Sequence, residues 1–246
     1  MAILEIERLS KAYDGVQALH GVSFEVDAGE LVAMIGPNGA GKTTCFNIVN
    51  GQIRPDEGQV RLEGKTLTGM APRAIWRLGV GRTFQVAATF GSMTVRENVQ
   101  MALLSHERLL GSFFLRAEGL FIEAANDLLE RVGMADQAAR PCAVLAYGDL
   151  KRVELAVALA HRPRLLLMDE PTAGMAPDER QALMHLAAGL ARSDNLAVLF
   201  TEHDMDVVFG FADRVIVLHG GEIIAAGTPA QVRNDARVRE VYLGDA

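Results

Sequence analysis

The feature that most constrains this chain is a continuous apolar run, Leu31-Val32-Ala33-Met34-Ile35, that passes without a break into Gly36-Pro37-Asn38-Gly39-Ala40-Gly41-Lys42-Thr43. Five successive apolar residues fit a strand buried on both faces, which is characteristic of a parallel sheet covered by helices. The segment that follows fits the pattern G-x-x-x-x-G-K-[ST] between a strand and a helix. Average residue usage makes that pattern a chance event in on the order of one in a hundred chains of this length. Glycines let the backbone wrap closely around an anion, so that N–H groups and the helix N-terminus both face phosphate oxygens. Lys42 adds a positive charge near the terminal phosphates. Thr43 offers a hydroxyl to Mg²⁺, which prefers oxygen ligands and is usually held together with nucleotide phosphates. Thr44 reaches a neighbouring phosphate.

The remaining apolar periods say what surrounds this loop. Leu4 and Ile6 alternate with Glu5 and Glu7, and Val22, Phe24 and Val26 alternate with Ser23 and Glu25, as in strands of an antiparallel sheet with one wet face. Apolar runs at Leu165 to Met168 and Leu196 to Thr201 alternate with helical patterns around Pro177 to Arg192 and Met205 to Ala212, predicting further parallel strands. Between about Val86 and Ala146 the signal turns to amphipathic helices, with Ile122, Ala125, Leu128, Leu129 and Val132 at helical spacing. Val215 to Leu218 and Glu222 to Ala225 flank His219-Gly220-Gly221 as a hairpin, and Pro229 opens a short helical tail. The expected architecture is α/β: a P-loop NTPase core with a mixed, largely parallel sheet, an N-terminal antiparallel β region and an inserted helical subdomain. The expected boundaries are 1–85 and 147–246 for the core and 86–146 for the insertion, all within one domain of 246 residues.

Asp169 and Glu170 end the run Leu165-Leu166-Leu167-Met168. This puts two adjacent carboxylates at the carboxyl end of a buried strand, the edge where open α/β sheets bind ligands. An isolated Asp-Glu is usually a pair of solvated acids, but the phosphate loop changes that reading. Asp169 is expected to hold Mg²⁺, directly or through water, and Glu170 to orient and deprotonate the attacking water.

Composition excludes several alternatives. A 50% hydrophobic and 22% charged chain is ordinary for a folded protein, and a formal net charge of −7 supplies no broad basic field for nucleic acid or an anionic bilayer. Lys151 with Arg152, and Arg162 with Arg164, read as solvated helix faces rather than a binding patch. The start carries Glu5, Glu7 and Arg8 where a secretory signal needs apolar residues, so a cytoplasmic location is expected. Cys45 and Cys142 are too few for a disulfide framework and read as buried hydrophobes. The histidines have no metal-ligand spacing, so no zinc is inferred.

Taken together, the order of motifs resembles the nucleotide-binding subunits of ABC transporters along almost the whole chain. The resemblance implies that Tyr13, in Lys11-Ala12-Tyr13-Asp14-Gly15, stacks on adenine with Val16 beside it, and that ATP with Mg²⁺ is bound and hydrolysed. Gln85 matches the glutamine that touches Mg²⁺ and links core to helical subdomain, and His203 matches the histidine that senses the γ-phosphate. Leu145-Ala146-Tyr147-Gly148-Asp149 stands in the place of the LSGGQ signature. Gly148 matches it, whereas the serine, the first glycine and the glutamine are replaced. Ala146 therefore lacks a hydroxyl for the γ-phosphate, leaving more of that clamp to N–H groups at a helix expected to start near Leu150. Ala176 stands where the family usually has Asp or Asn at the dimer interface.

The L-A-Y-G form, Asp169-Glu170-Pro171-Thr172-Ala173-Gly174-Met175 and Val241-Tyr242-Leu243-Gly244 resemble the branch serving branched-chain amino acid importers. The resemblance implies an ATP-dependent homodimer or a heterodimer with a related subunit, peripheral on the inner face of the plasma membrane. It implies membrane permease subunits docking around Phe90 to Val99, with Leu109 to Phe121 as a further contact, and indirectly a solute-binding protein. Branched-chain amino acids lead as the solute, with urea, amides or aromatic acids behind. A kinase or GTPase, a non-transport ABC protein and a regulatory ATP-binding module are the competing readings; the glutamine, signature and histidine motifs oppose the first, and retained Glu170 and His203 the last.

Overall fold

The computed structural model describes residues 2–83, 89–109 and 119–243. An antiparallel sheet in the order β2-β1-β4-β5 comprises β1 (Ala2–Tyr13), β2 (Val16–Asp27), β4 (Glu57–Leu62) and β5 (Lys65–Thr66). Asp14 (φ 48°) and Gly15 (φ 84°) join the first two strands, and both left-handed residues suit the right-handed twist of a two-residue hairpin.

The second sheet runs β10-β9-β3-β8-β7-β6, from β3 (Leu31–Ile35), β6 (Val80–Thr83), β7 (Leu165–Asp169), β8 (Ala197–Thr201), β9 (Arg214–His219) and β10 (Glu222–Gly227). Five strands are parallel, and β10 is antiparallel to β9 across the expected Gly220-Gly221 turn. The apolar runs split by parity. Leu31, Ala33, Ile35, Leu166, Met168, Val198 and Phe200 face one core, while Val32, Met34, Leu165, Leu167, Ala197 and Leu199 face the other. Both faces of these strands are dry, which is why no polar residue alternates along them.

On the first face lie α3 (Val95–His106), α4 (Ile122–Arg131), α5 (Tyr147–Leu159), α6 (Pro177–Asp194) and α7 (Met205–Phe211). The other face carries α1 (Lys42–Val49) and the antiparallel sheet; α2 (Pro72–Arg77) precedes β6, and α8 (Pro229–Asn234) follows β10. Thr94 caps α3 in a reciprocal box with Glu97, so this helix starts sharply at Val95. Of the expected helical face, Ala125, Leu128, Leu129 and Val132 are buried and share a core with Val95, Val99 and Val153, whereas Ile122 at the start of α4 is exposed.

Two expectations need correcting. First, α5 begins at Tyr147 rather than near Leu150: Ala146 is its extended N-cap, and Asp149 in the first turn suits the positive end of the helix dipole. Second, Lys151 is buried rather than solvated, because Glu154 one turn along neutralises it at 3.1 Å. Cys45 and Cys142 are buried free thiols. Among the described residues no helix is long and apolar enough to cross a membrane.

Candidate functional site

Strand order assembles the site. In register, Met34 pairs with Thr201 and Thr201 with Asp169, so the ends of β3, β8 and β7 lie side by side. The loop after β3, the acids after β7 and the histidine after β8 therefore converge, although 127 residues separate Lys42 from Asp169 in the sequence.

The loop after β3 is closed by contacts that only glycine permits. A Cβ on Gly36 (φ 151°) would lie 2.0 Å from the Leu218 carbonyl oxygen, and one on Gly41 (φ 105°) 2.4 Å from that of Ala18. Gly41 is also the N-cap of α1, so no side chain caps this helix, and its first turn holds no acid. Its leading N–H groups, those of Lys42, Thr43 and Thr44, lack intrahelical acceptors and are available to an anion. Lys42 turns back over the loop, donating from Nζ to the carbonyls of Gly36 (2.6 Å) and Pro37 (3.1 Å). Burial lowers its pKa, and the carboxylates of Glu170 and Asp169 oppose that shift. A helix start without a cap, beside a buried ammonium, leaves positive potential that a polyphosphate would neutralise. Asn38, Gly39 and Thr43 are exposed around it, and Ala40 is buried beneath.

Asp169 is held on both oxygens. Thr201 Oγ1 donates to Oδ1 at 2.9 Å, and Arg82 pairs with Oδ2 at 3.0 Å while also donating to Asn47 Oδ1 of α1 at 2.7 Å. Each carboxylate oxygen keeps a second lone pair for a cation or its water. Among the described residues no group of three or more His, Cys, Asp or Glu could hold a metal ion alone. A cation at Thr43 and Asp169 would thus draw further oxygens from phosphate and water, as suits Mg²⁺.

Glu170 adopts the left-handed region (φ 48°), which turns the chain abruptly off β7, and Thr201 stabilises the turn by accepting from the Glu170 N–H at 3.0 and 3.1 Å. Glu170 Oε1 lies 3.0 Å from His203 Nε2. A carboxylate only accepts, so the imidazole donates from Nε2. Both side chains remain partly open to solvent.

Tyr13 and Val16 face each other across the β1–β2 hairpin, 42% and 71% exposed, with Lys11 Nζ 5.6 Å from the Tyr13 ring. The close approach of Ala18 to Gly41 brings this strand against the phosphate loop. Ala146, Tyr147, Gly148 and Asp149 form the start of α5, where a Cβ on Gly148 would come within 3.0 Å of the Glu179 carboxylate and one on Gly174 3.7 Å from the Tyr147 ring. Gln85 lies outside the described residues.

Sequence reasoning assigned no role to Arg82, Thr172 or Arg180. Arg82 fixes Asp169, Thr172 binds Glu202 and Arg180 binds Asp204. These partners lie at least 24 residues away in sequence, so no local pattern marks them.

The family described as "ABC transporter" matches residues 19–173, and "Branched-chain amino acid ATP-binding cassette transporter" matches residues 222–246. The high-affinity branched-chain amino acid transport ATP-binding protein BraF of Pseudomonas aeruginosa is 41% identical, covering 99% of this chain and 98% of the relative. LivG of Escherichia coli, with the same description, is 40% identical at the same coverage. The ADP conformation of an ATP-binding cassette from an ABC transporter superposes with a TM-score of 0.89 at 32% identity, over all of both chains. A dimeric post-hydrolysis cassette bound to ADP and Pi gives 0.78 at 25% identity, over 92% of this chain and 98% of that one. The loop, the paired acids and the histidine at one sheet edge thus stand in a chain that belongs to the ABC transporter family, as an ATP-binding, ATP-hydrolysing subunit.

Proposed function

We propose that this subunit powers uptake of branched-chain or other hydrophobic amino acids through separate membrane permease subunits. The observation that carries the chemistry is the 3.0 Å contact between Glu170 and His203, at the ends of the adjacent strands β7 and β8, the second of which pairs with the strand that leads into the phosphate loop. Glu170 takes the proton from the attacking water, and His203 orients Glu170 while meeting the γ-phosphate. The N–H groups from Gly39 to Thr44 and Lys42 bind the phosphates, and Tyr13 with Val16 receives the adenine. Thr43, Asp169 and Gln85 would hold Mg²⁺, which neutralises phosphate charge when bound.

Two cassettes close over ATP, the segment Ala146 to Asp149 of one facing the phosphate loop of the other, as homodimer or heterodimer. With Ala146 in place of a serine and no side-chain cap on α5, main-chain N–H groups carry that contact. Residues 86–146 act as the helical subdomain on a core of 1–85 and 147–246. Its permease contact centres on Phe90, 56% exposed, whose N–H and carbonyl are pinned by Asn98 at 2.7 and 3.1 Å. Exposed Val144 is brought close by Ala143 N–H donating to Gly91 at 3.1 Å. The further contact at Leu109 to Phe121 falls mostly on residues 110–118, outside the described ones. A subunit working with such permeases would sit on the cytoplasmic face of the membrane, with a solute-binding protein acting beyond it.

The test has two arms. Glu170→Gln should retain Mg·ATP binding while turnover falls by about 10²- to 10⁴-fold; equal loss of both would remove Glu170 from the chemistry. Reconstituted with its copurified permeases, the subunit should drive ATP-dependent uptake of leucine, isoleucine or valine. Uptake of urea, amides or aromatic acids instead would reassign the solute.

A further inference from the structure

Of three consecutive residues after β8, two engage the turn after β7 directly and the third reaches it through Arg180 of α6. His203 meets Glu170 in the middle. On one side Glu202, only 3% exposed, accepts from the Thr172 N–H at 2.8 Å and the Thr172 hydroxyl at 2.7 Å through Oε1. Its Oε2 accepts from the His203 N–H at 3.2 Å. On the other side Arg180 donates to Asp204 Oδ2 at 2.6 Å and, through Nε, to the Met175 carbonyl at 2.8 Å. Asp204 uses Oδ1 to cap α7 at the N–H groups of Asp206 and Val207. The turn itself is braced by Ala173 N–H to Glu170 O (3.2 Å) and Met175 N–H to Thr172 O (3.1 Å).

A buried carboxylate is costly unless its lone pairs are filled, so a residue at the Glu202 position is kept only where it holds something in place. What it holds is the spacing between the two strand-end turns, and that spacing sets the Glu170–His203 contact. Thr172 follows Glu170 by two residues, and Glu202 directly precedes His203. The Arg180 bridge fixes the far end of the same turn, next to Ala176, whose methyl group makes no polar contact of its own.

We propose that Glu202, Thr172 and Arg180 are positioning residues that hold Glu170 and His203 in catalytic register and make the turn from Glu170 to Met175 move with the histidine. This rests on the reading that Glu170 and His203 carry out hydrolysis. Thr172→Val keeps the N–H and the volume but removes the hydroxyl, and Glu202→Gln keeps an acceptor for Thr172 while turning an N–H₂ toward the His203 N–H. Each should lower kcat by about 10- to 100-fold, the scale of a misplaced catalytic group, with the KM for ATP changed by less than about threefold. The double variant should be no slower than the worse single one, since both interrupt the same chain of contacts from Thr172 through Glu202 to His203. Thr172→Ser should recover most of the rate. Arg180→Lys, which keeps the charge but not the two-point bridge, should lower kcat in the same way.

The proposal is overturned if the single-variant rates stay within about twofold of the parent, if their effects multiply, or if KM rises as kcat falls. Melting curves identify a variant that fails to fold; because Thr172→Val and Thr172→Ser probe the contact from the uncharged side, they decide the matter alone if Glu202→Gln is lost. A Glu170→Gln protein that still hydrolyses ATP at the parental rate would instead refute the underlying reading.

Discussion

His161 lies two residues beyond α5 and is 5% exposed, with its ring centroid 4.6 Å from that of Trp76, tilted 30°. Trp76 in turn stands edge-on to His106, 5.8 Å away, and the two histidine rings are 6.4 Å apart. Among the described residues neither ring nitrogen of His161 makes a hydrogen bond of good geometry, although the Val80 and Ala158 carbonyls face the ring. Burial, reinforced by His106, lowers its pKa from 6.5 to about 4, against a weaker opposing pull from the Val80 and Ala158 carbonyls. The folded protein therefore binds this proton more weakly than the unfolded chain. Its stabilising contribution is present above pH 6.5 and is lost as the pH falls toward 4. The gap amounts to ~3 kcal/mol in full, of which ~2 kcal/mol is gone at pH 5. His161→Phe keeps a ring against Trp76 and removes the titration. Between pH 7.5 and 5 the parent should lose ~2 kcal/mol more than this variant in urea unfolding followed by circular dichroism, or ~4–8 °C more in Tm. Trp76, the sole tryptophan, reports the same site by fluorescence. Parallel stability curves for the two proteins would refute the assignment of this acid sensitivity to His161.

Gly41→Ala forces a Cβ to within 2.4 Å of the Ala18 carbonyl at a left-handed φ. It should weaken Mg·ATP binding by more than about tenfold in calorimetric titration, because the first turn of α1 can no longer present its N–H groups. Unchanged affinity would mean that the loop is not the phosphate cradle. His203→Ala removes the donor to Glu170 but no phosphate-loop contact; steady-state phosphate release should fall by about 10²-fold or more while nucleotide affinity stays near the parent's. A parallel fall in affinity would show that His203 serves mainly in binding.

Much of this molecule was legible because its signals are local. The passage from Leu31–Ile35 into the glycine loop and Lys42 declares a strand, a bend and a helix within a dozen residues, and each step has a steric cause. The same holds for the Gly220-Gly221 turn, and for the helical spacing of Ala125, Leu128 and Val132. The start of α5 was misplaced by three residues because Ala146 offers no capping side chain to mark it, and Lys151 was misread because its neutralising partner looks like any surface acid.

The sequence by itself determined the phosphate loop, the two carboxylates at a strand end and the family to which they point, since covalent spacing alone carries those patterns. Only the tertiary structure decided that His203 meets Glu170, that Arg82 holds Asp169 and that Glu202 is spent on Thr172. Those pairings depend on β7 lying between β8 and β6, and strand order is settled by the burial of two apolar faces at once rather than by any nearby residue.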